Sequence, residues 1–242
     1  MHEIRRRHLL AGAAAAVTGS PALAQGFPER PVRVIVPFGP GGGTDNLVRL
    51  IDAHVRAALG QPLVIENRAG AGGTIGGELV ARAPADGYTV LIVDSSFAIN
   101  PSLFPRLPYD SAKDFAPVSL LATGPVILLS HPSLPVNSLA ELVAMAKARP
   151  GQLSYASGGN GASTHLAGEL LKMVAGIDLV HVPYRGTGPA TTDVVAGHVP
   201  LMFNGISAAR PHVDAGRLRA LAVTGDRRAA ALPDVPTFAE AG

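Results

Sequence analysis

Between Val32 and Ser96 the chain alternates strand, helix, strand, helix, strand, and this alternation narrows its fold more than any other feature. "VRVIVPF" (Val32 to Phe38) is a short β-branched run ended by glycine and proline, and it reads as a buried strand. Leu47, Val48, Leu50, Ile51, Val55, Ala58 and Leu59 then recur at helical spacing, with Thr44 or Asp45 placed to cap the helix and Gly60 to close it. "PLVIENR" is a second strand, "TIGGELVARA" a second helix, Pro84 and Asp86-Gly87 a turn, and "YTVLIVDSS" a third strand. The strands are continuous apolar runs rather than alternating ones, which predicts a parallel sheet covered by helices on both faces.

After Asn100 the pattern loosens. "NPSLFPRLPYDSAKDFAP" is rich in proline and reads as an ordered surface connection, followed by the apolar runs "VSLLAT" and "VILLSHP" on either side of Gly124-Pro125. The alternation then restarts. Ser138 caps a helix to Ala148, "LSYAS" is a strand and "STHLAGELLKMVA" a helix. Strand "DLVHVPY" leads to helix "ATTDVVAGH", strand "PLMFN", a short helix near 208–215 and strand "LRALAVT". Two α/β units joined near residues 116–126 follow, and with no low-complexity linker between them a hinged pair is expected.

Each unit has a glycine cluster between a strand and a helix: "VPFGPGGGTD" (Val36 to Asp45) and "YASGGNGASTHLAGEL". In open α/β sheets ligands sit beyond the carboxyl ends of the strands, where these clusters lie. The first N–H groups of the following helix lack intrahelical partners and carry the positive end of its dipole. Glycine lets a ligand approach that bare backbone. Two such loops facing across a cleft suit a small carboxylate or phosphate held without a lysine; the plainer alternative is that the glycines only make tight turns. The phosphate-loop pattern is missing, because Thr44 follows Gly43 with no lysine between. A dinucleotide fingerprint is nearer: Gly39-x-Gly41-x-x-Thr44 nearly fits, and Glu66 ends the second strand where a ribose-binding acid would lie. Thr44 in place of the third glycine and the stiffening Pro37 and Pro40 count against it.

Catalytic patterns are poor. There is no Gly-x-Ser-x-Gly, and with no cysteine thiol catalysis, disulfides and cysteine metal sites are excluded. His165 and Glu169 share a helix face but lack a third ligand, so no metal is expected, and His165 reads as a group that caps or hydrogen-bonds near the loop. His131, His181, His198 and His212 read as surface or strand-end residues. Asp45, Glu66 and Asp94 could pair as carboxylates, although Asp45 fits better as a helix-start residue that shapes the first loop.

The N-terminus has the three parts of an export signal in order: cationic "RRRHLL", apolar "LLAGAAAAV", and small-x-small "ALA" (Ala22 to Ala24) before Gln25. Cleavage after Ala24 is expected, by the twin-arginine or the general secretory route. From Gln25 onward basic and acidic residues balance at seventeen each, so no electrostatic footprint for nucleic acid remains.

"RPVRVIVPFGPGGGTD", "GQPLVIENRAGAGGTIGGELVARAPADGYT", "INPSLFPRLPYDSAKDFAPVS", "NGASTHLAGEL", "HVPYRGTGPATTDVVAGHVPLMF" and "LRALAVTGDRRAAALPDVPTFAEAG" together resemble the solute receptors of tripartite tricarboxylate transporters, the Bug proteins, across Phe27 to Gly242. The resemblance implies an α/β fold of the type II periplasmic binding protein class, two α/β domains with a ligand cleft between them. Residues 1–24 would be the signal peptide, 25–120 the first domain with 219–242 returning to it, and 121–218 the second. Family members continue past "EAG", so a first domain left incomplete by C-terminal truncation is expected.

The resemblance also implies a carboxylate gripped by backbone amides of two strand-helix loops. These match Phe38, Gly41, Gly42, Gly43, Thr44 and Asp45 in the first, and Gly159, Asn160, Gly161, Ser163, Thr164 and His165 in the second. Ser95, Ser96 and Ala98 match a cleft-lining region, and Asn204 stands where many members carry aspartate. The expectation is a monomeric periplasmic receptor, without catalysis or cofactor, that hands a small organic carboxylate to membrane transporter subunits. A dinucleotide-dependent oxidoreductase and a receptor signalling to a membrane sensor kinase remain alternatives.

Overall fold

The structure is a computed structural model and describes residues 26–242. The expected signal peptide and its cleavage point lie outside the described residues. No helix among the described residues is long and apolar enough to cross a membrane.

The first sheet has three parallel strands in the order β2-β1-β3: β1 (Val32–Val36), β2 (Leu63–Asn67) and β3 (Thr89–Leu91). β1 is central and paired along both edges, and Val34, Ile35 and Val36 are buried. That explains the unbroken apolar run. Helices α1 (Gly43–Leu59) and α2 (Thr74–Ala81) make the crossovers, and α3 (Ser96–Leu103) follows β3. α1 packs Val48 into a core with Val34, Val36, Phe38 and Ile92, and ends at the left-handed Gly60. The third strand is shorter than "YTVLIVDSS" predicts. Only three of its residues, Thr89 to Leu91, pair with β1.

The second sheet has five strands in the order β6-β5-β7-β4-β8: β4 (Val126–Ser130), β5 (Ser154–Ser157), β6 (Val180–Pro183), β7 (Leu201–Gly205) and β8 (Arg219–Val223). β5 pairs in parallel with β6 and β7, whereas β4 runs antiparallel to both neighbours. Along β4 the faces alternate. Ile127 and Leu129 join a core with α6 (Thr187–Val195) and α7 (Ile206–Asp214), while Leu128 joins one with α4 (Leu139–Ala148) and α5 (Ser163–Ala175). Burying such a side chain contributes about 1.5–3 kcal/mol.

Residues 219–242 do not return to the first unit as expected. β8 lies beside β4 in the five-stranded sheet, Val223 bridges to Thr237, and Leu232 and Val235 enter the core against α6 and α7. The reason is that β4 offers a free ladder edge, and β8 supplies apolar groups to both faces through Leu221 and Val223. "VSLLAT" forms no strand: Val118 and Leu120 are 89% and 80% exposed, and no strand runs beside them.

Candidate functional site

The carboxyl ends of β1, β2 and β3 face those of β5 and β6. Between them lies a cavity of about 250 Å3, lined by Pro37 and Phe38, Gly70 to Gly73, Phe104, Gly158 to Asn160, and Pro183 to Arg185. A larger cavity, about 670 Å3, lies elsewhere on the five-stranded unit, between α4 and the 234–241 segment. Its wall carries the acids Asp234 and Glu240, and Arg219 gives Nη1 to the carbonyls of Leu134 and Val136, so the smaller one better suits an anion.

The first loop is shaped by Asp45. Its carboxylate is 2% exposed, accepts the Gly41 N–H at 2.9 Å, and is bonded by Arg49 and by Asn67, whose amide also reaches the Phe38 carbonyl. Burial alone would raise the Asp45 carboxyl, but the Arg49, Gly41 and Asn67 hydrogen bonds outweigh it and leave it below the usual carboxylate range. The expected cap at Thr44 or Asp45 is not the one used. Gly42 is the cap, both residues lie inside α1, and no side chain satisfies the first amides.

The second loop has a matching scaffold. The Thr164 hydroxyl accepts the Gly158 N–H at 2.9 Å, His165 Nδ1 accepts the Gly161 N–H at 3.2 Å, and Ser157 Oγ accepts the Gly159 N–H. Ala162 caps α5 without a side-chain bond. Its first amides, like those of α1, have no intrahelical partner. α4 differs: its cap Ser138 accepts the Glu141 N–H, and Glu141 accepts the N–H of Asn137, the residue before the cap. The helices that start at this cleft keep their electropositive ends bare, and α4 does not.

His181, expected at the surface or a strand end, is the second residue of β6 and is half-buried. Its ring stacks at 4.1 Å on His165 and at 5.0 Å on Tyr155, and its Nε2 lies 2.6 Å from Ser157 Oγ. Tyr155 donates to Glu169, which also takes Lys172. Glu169 is therefore engaged away from His165, and among the described residues no acid-histidine group could hold a metal.

Of the residues matched to a binding role, Phe38, Gly159 and Asn160 line the cavity directly. Gly42, Gly43, Thr44, Ser163 and Thr164 do not line it and sit at the starts of α1 and α5. The amides of Gly41 and Gly161 are consumed by Asp45 and His165. Ser96 is tied to Asp94, while Ser95 and Ala98 are exposed on α3. Asn204 is fully buried, donates to Thr191 and accepts its neighbour's N–H. Asp45, Glu66 and Asp94 do not pair. Arg33 first, then Arg68, holds Glu66 down to about 2, which leaves no free acid where a ribose would need one.

Two wall segments were quoted from the sequence without a role: Gly70 to Gly73 and Tyr184 to Arg185. Their signals were legible. "AGAGGTIGG" is a third glycine cluster after a strand, and "YRGTG" repeats the same grammar after β6.

A family profile described as the tripartite tricarboxylate transporter family receptor matches residues 47–242. Protein BugT of Bordetella pertussis is 41% identical over 231 residues, 95% of this chain and 71% of BugT. A solved R. palustris protein with adipate superposes with a TM-score of 0.87 at 41% identity, covering 90% of this chain and 73% of that one. MatC from Rhodopseudomonas palustris with bound malate does so with 0.82 at 38%, covering 89% and 74%.

Proposed function

The chain belongs to the tripartite tricarboxylate transporter family of receptors, and from that premise we propose that it binds a small organic carboxylate in the cavity between its two units and presents it to membrane transporter subunits from the periplasm. The observation that carries this reading is a cavity between the two units whose wall includes Phe38 and Gly158 to Asn160, on the two loops that run on into the uncapped starts of α1 and α5. Solved relatives hold adipate and malate, both dicarboxylates.

In this reading the carboxylate accepts hydrogen bonds from the amides at Gly43, Thr44, Ser163 and Thr164, at the positive ends of α1 and α5. Asp45 and His165 hold the loops in shape from behind. Phe38 and Phe104 supply apolar wall for the ligand's carbon chain. In the Ser157–His181 pair the serine is fully buried and neither residue lines the cavity wall, and capture without chemistry is the function proposed. Export with cleavage after Ala24 belongs to the same proposal.

Main-chain donors are removed only by proline, and α5 offers a clean place. Ser163 is the first residue of the helix, where proline is welcome, and Ala162 before it is already extended at φ −63° and ψ 152°. Ser163→Pro should fold normally and weaken carboxylate binding by about 1.5–3 kcal/mol, the worth of a hydrogen bond to a charged group. Titration calorimetry with adipate, malate and a tricarboxylate tests it. Absence of saturable heat with every acid on the parent protein would overturn the function, and unchanged affinity in Ser163→Pro would overturn the role of α5.

A further inference from the structure

The two units touch through a contact that no ligand mediates. The Gly39 N–H donates to the Arg185 carbonyl across the cleft at 2.7 Å. The loop between β6 and α6 is anchored from behind, where the Gly186 N–H donates to the Gly158 carbonyl. Ahead of it Gly188, in the first turn of α6, lies against the backbone of Pro40 and Gly41. A Cβ on Gly188 would overlap the Pro40 carbonyl oxygen outright and lie 3.0 Å from the Pro40 carbonyl carbon. A Cβ on Gly39 would meet the Arg185 oxygen at 2.8 Å. The obstacle in each case is backbone, which cannot swing aside as a side-chain tip can.

Gly188 differs from the other glycines of this loop in having no conformational need to be glycine. Gly186 sits at φ +117°, whereas Gly188 is not among the glycines with positive φ and lies inside a helix. Alanine is the better helix residue there. The one thing that glycine provides at this position is room for the Pro40–Gly41 backbone.

We propose that the loop from Tyr184 to Gly188 is a third arm of the clamp, and that Gly188 is a positioning residue that lets the first glycine loop close onto α6. The inference rests on the receptor reading, because closure matters only to a protein that encloses a ligand. It gives the first loop two roles: Gly43 and Thr44 present amides, and Gly39 to Gly42 form the joint with the opposite unit. A joint of this kind raises the fraction of closed molecules before any ligand arrives, and apparent affinity rises with that fraction.

The chain has no cysteine, so Ala57→Cys on α1 and Ala148→Cys on α4 give one exposed dye site per unit. Energy transfer between the dyes is measured on the parent and on Gly188→Ala, each with and without saturating adipate. Thermal unfolding is followed in parallel. The expected result is a short-distance population in the parent that falls about tenfold in Gly188→Ala, with apparent adipate affinity falling in step and the unfolding temperature unchanged or higher. Unchanged distances in Gly188→Ala would overturn the proposal. So would a parent that never shows the short distance, or a variant that loses helix content. A parent that closes yet gives no heat with any acid would sink the receptor reading and leave the joint standing.

Discussion

Burial, and after it the neighbouring His165, pushes the His181 imidazole down to about 4, and burial lowers His165 as well. Lys172 adds to the depression and Glu169 opposes it. Both rings are therefore neutral in the fold, while in the unfolded chain they titrate near an ordinary value of about 6.5. Between those limits the unfolded state binds more protons, so this contribution is complete above pH 6.5 and is lost as pH falls towards 4. After allowance for partial exposure it amounts to about 1–2 kcal/mol for His181. His181→Phe keeps the ring stacking and removes the titration, so its urea midpoint should change less between pH 7.5 and 4.5 than the parent's. Equal pH slopes would show that the pair is not the sensor. Asp45 was legible as a loop-shaping acid because it follows a glycine cluster at a helix start. His181 was not, because the sequence of β6 cannot show which rings of the preceding helix and of β5 will lie over it.

At the level of elements, the contrast between α4 and the cleft helices separates stability from binding. Ser138→Ala removes the cap of α4 and should cost about 0.5–2 kcal/mol in denaturant unfolding with carboxylate affinity unchanged. A matching loss of affinity would mean that α4 communicates with the cleft. Most helices and strands were readable, because their apolar runs and glycine stops are local signals: β1, α1, β5 and α5 lie where periodicity predicts. The failures share one cause. "VSLLAT", read only as an apolar run, stays unpaired and exposed, since strand propensity needs a partner to be realised. The antiparallel direction of β4 and the seat of β8 depend on which ladder edge is free, and no residue in either strand announces that.

For the whole molecule, a ligand held by α1 from one unit and α5 from the other stabilises both at once. At a concentration one hundred times the dissociation constant the gain is about 2.7 kcal/mol. Hydrogen exchange should then slow together at the amides of Gly43 to Asp45 and Ser163 to His165 when adipate is added. Slowing confined to one set would place the ligand on one wall rather than between two. The paired glycine loops made a cleft legible in the sequence, but its closeness was not. The Gly39–Arg185 and Gly188–Pro40 contacts join segments about 150 residues apart, and only the folded backbone shows that they leave no room for a side chain.

The bare helix starts have a consequence for how such a site can change over time. A pocket that attracts anions with lysine or arginine loses its charge by a single substitution. Peptide N–H groups do not, because every residue except proline supplies one. Carboxylate capture of this kind is insulated from drift in the surrounding side chains. Those side chains, Phe104 and Arg185 at the wall among them, are then free to vary and to select which acid fits, while the attraction for acids as a class is inherited with the fold.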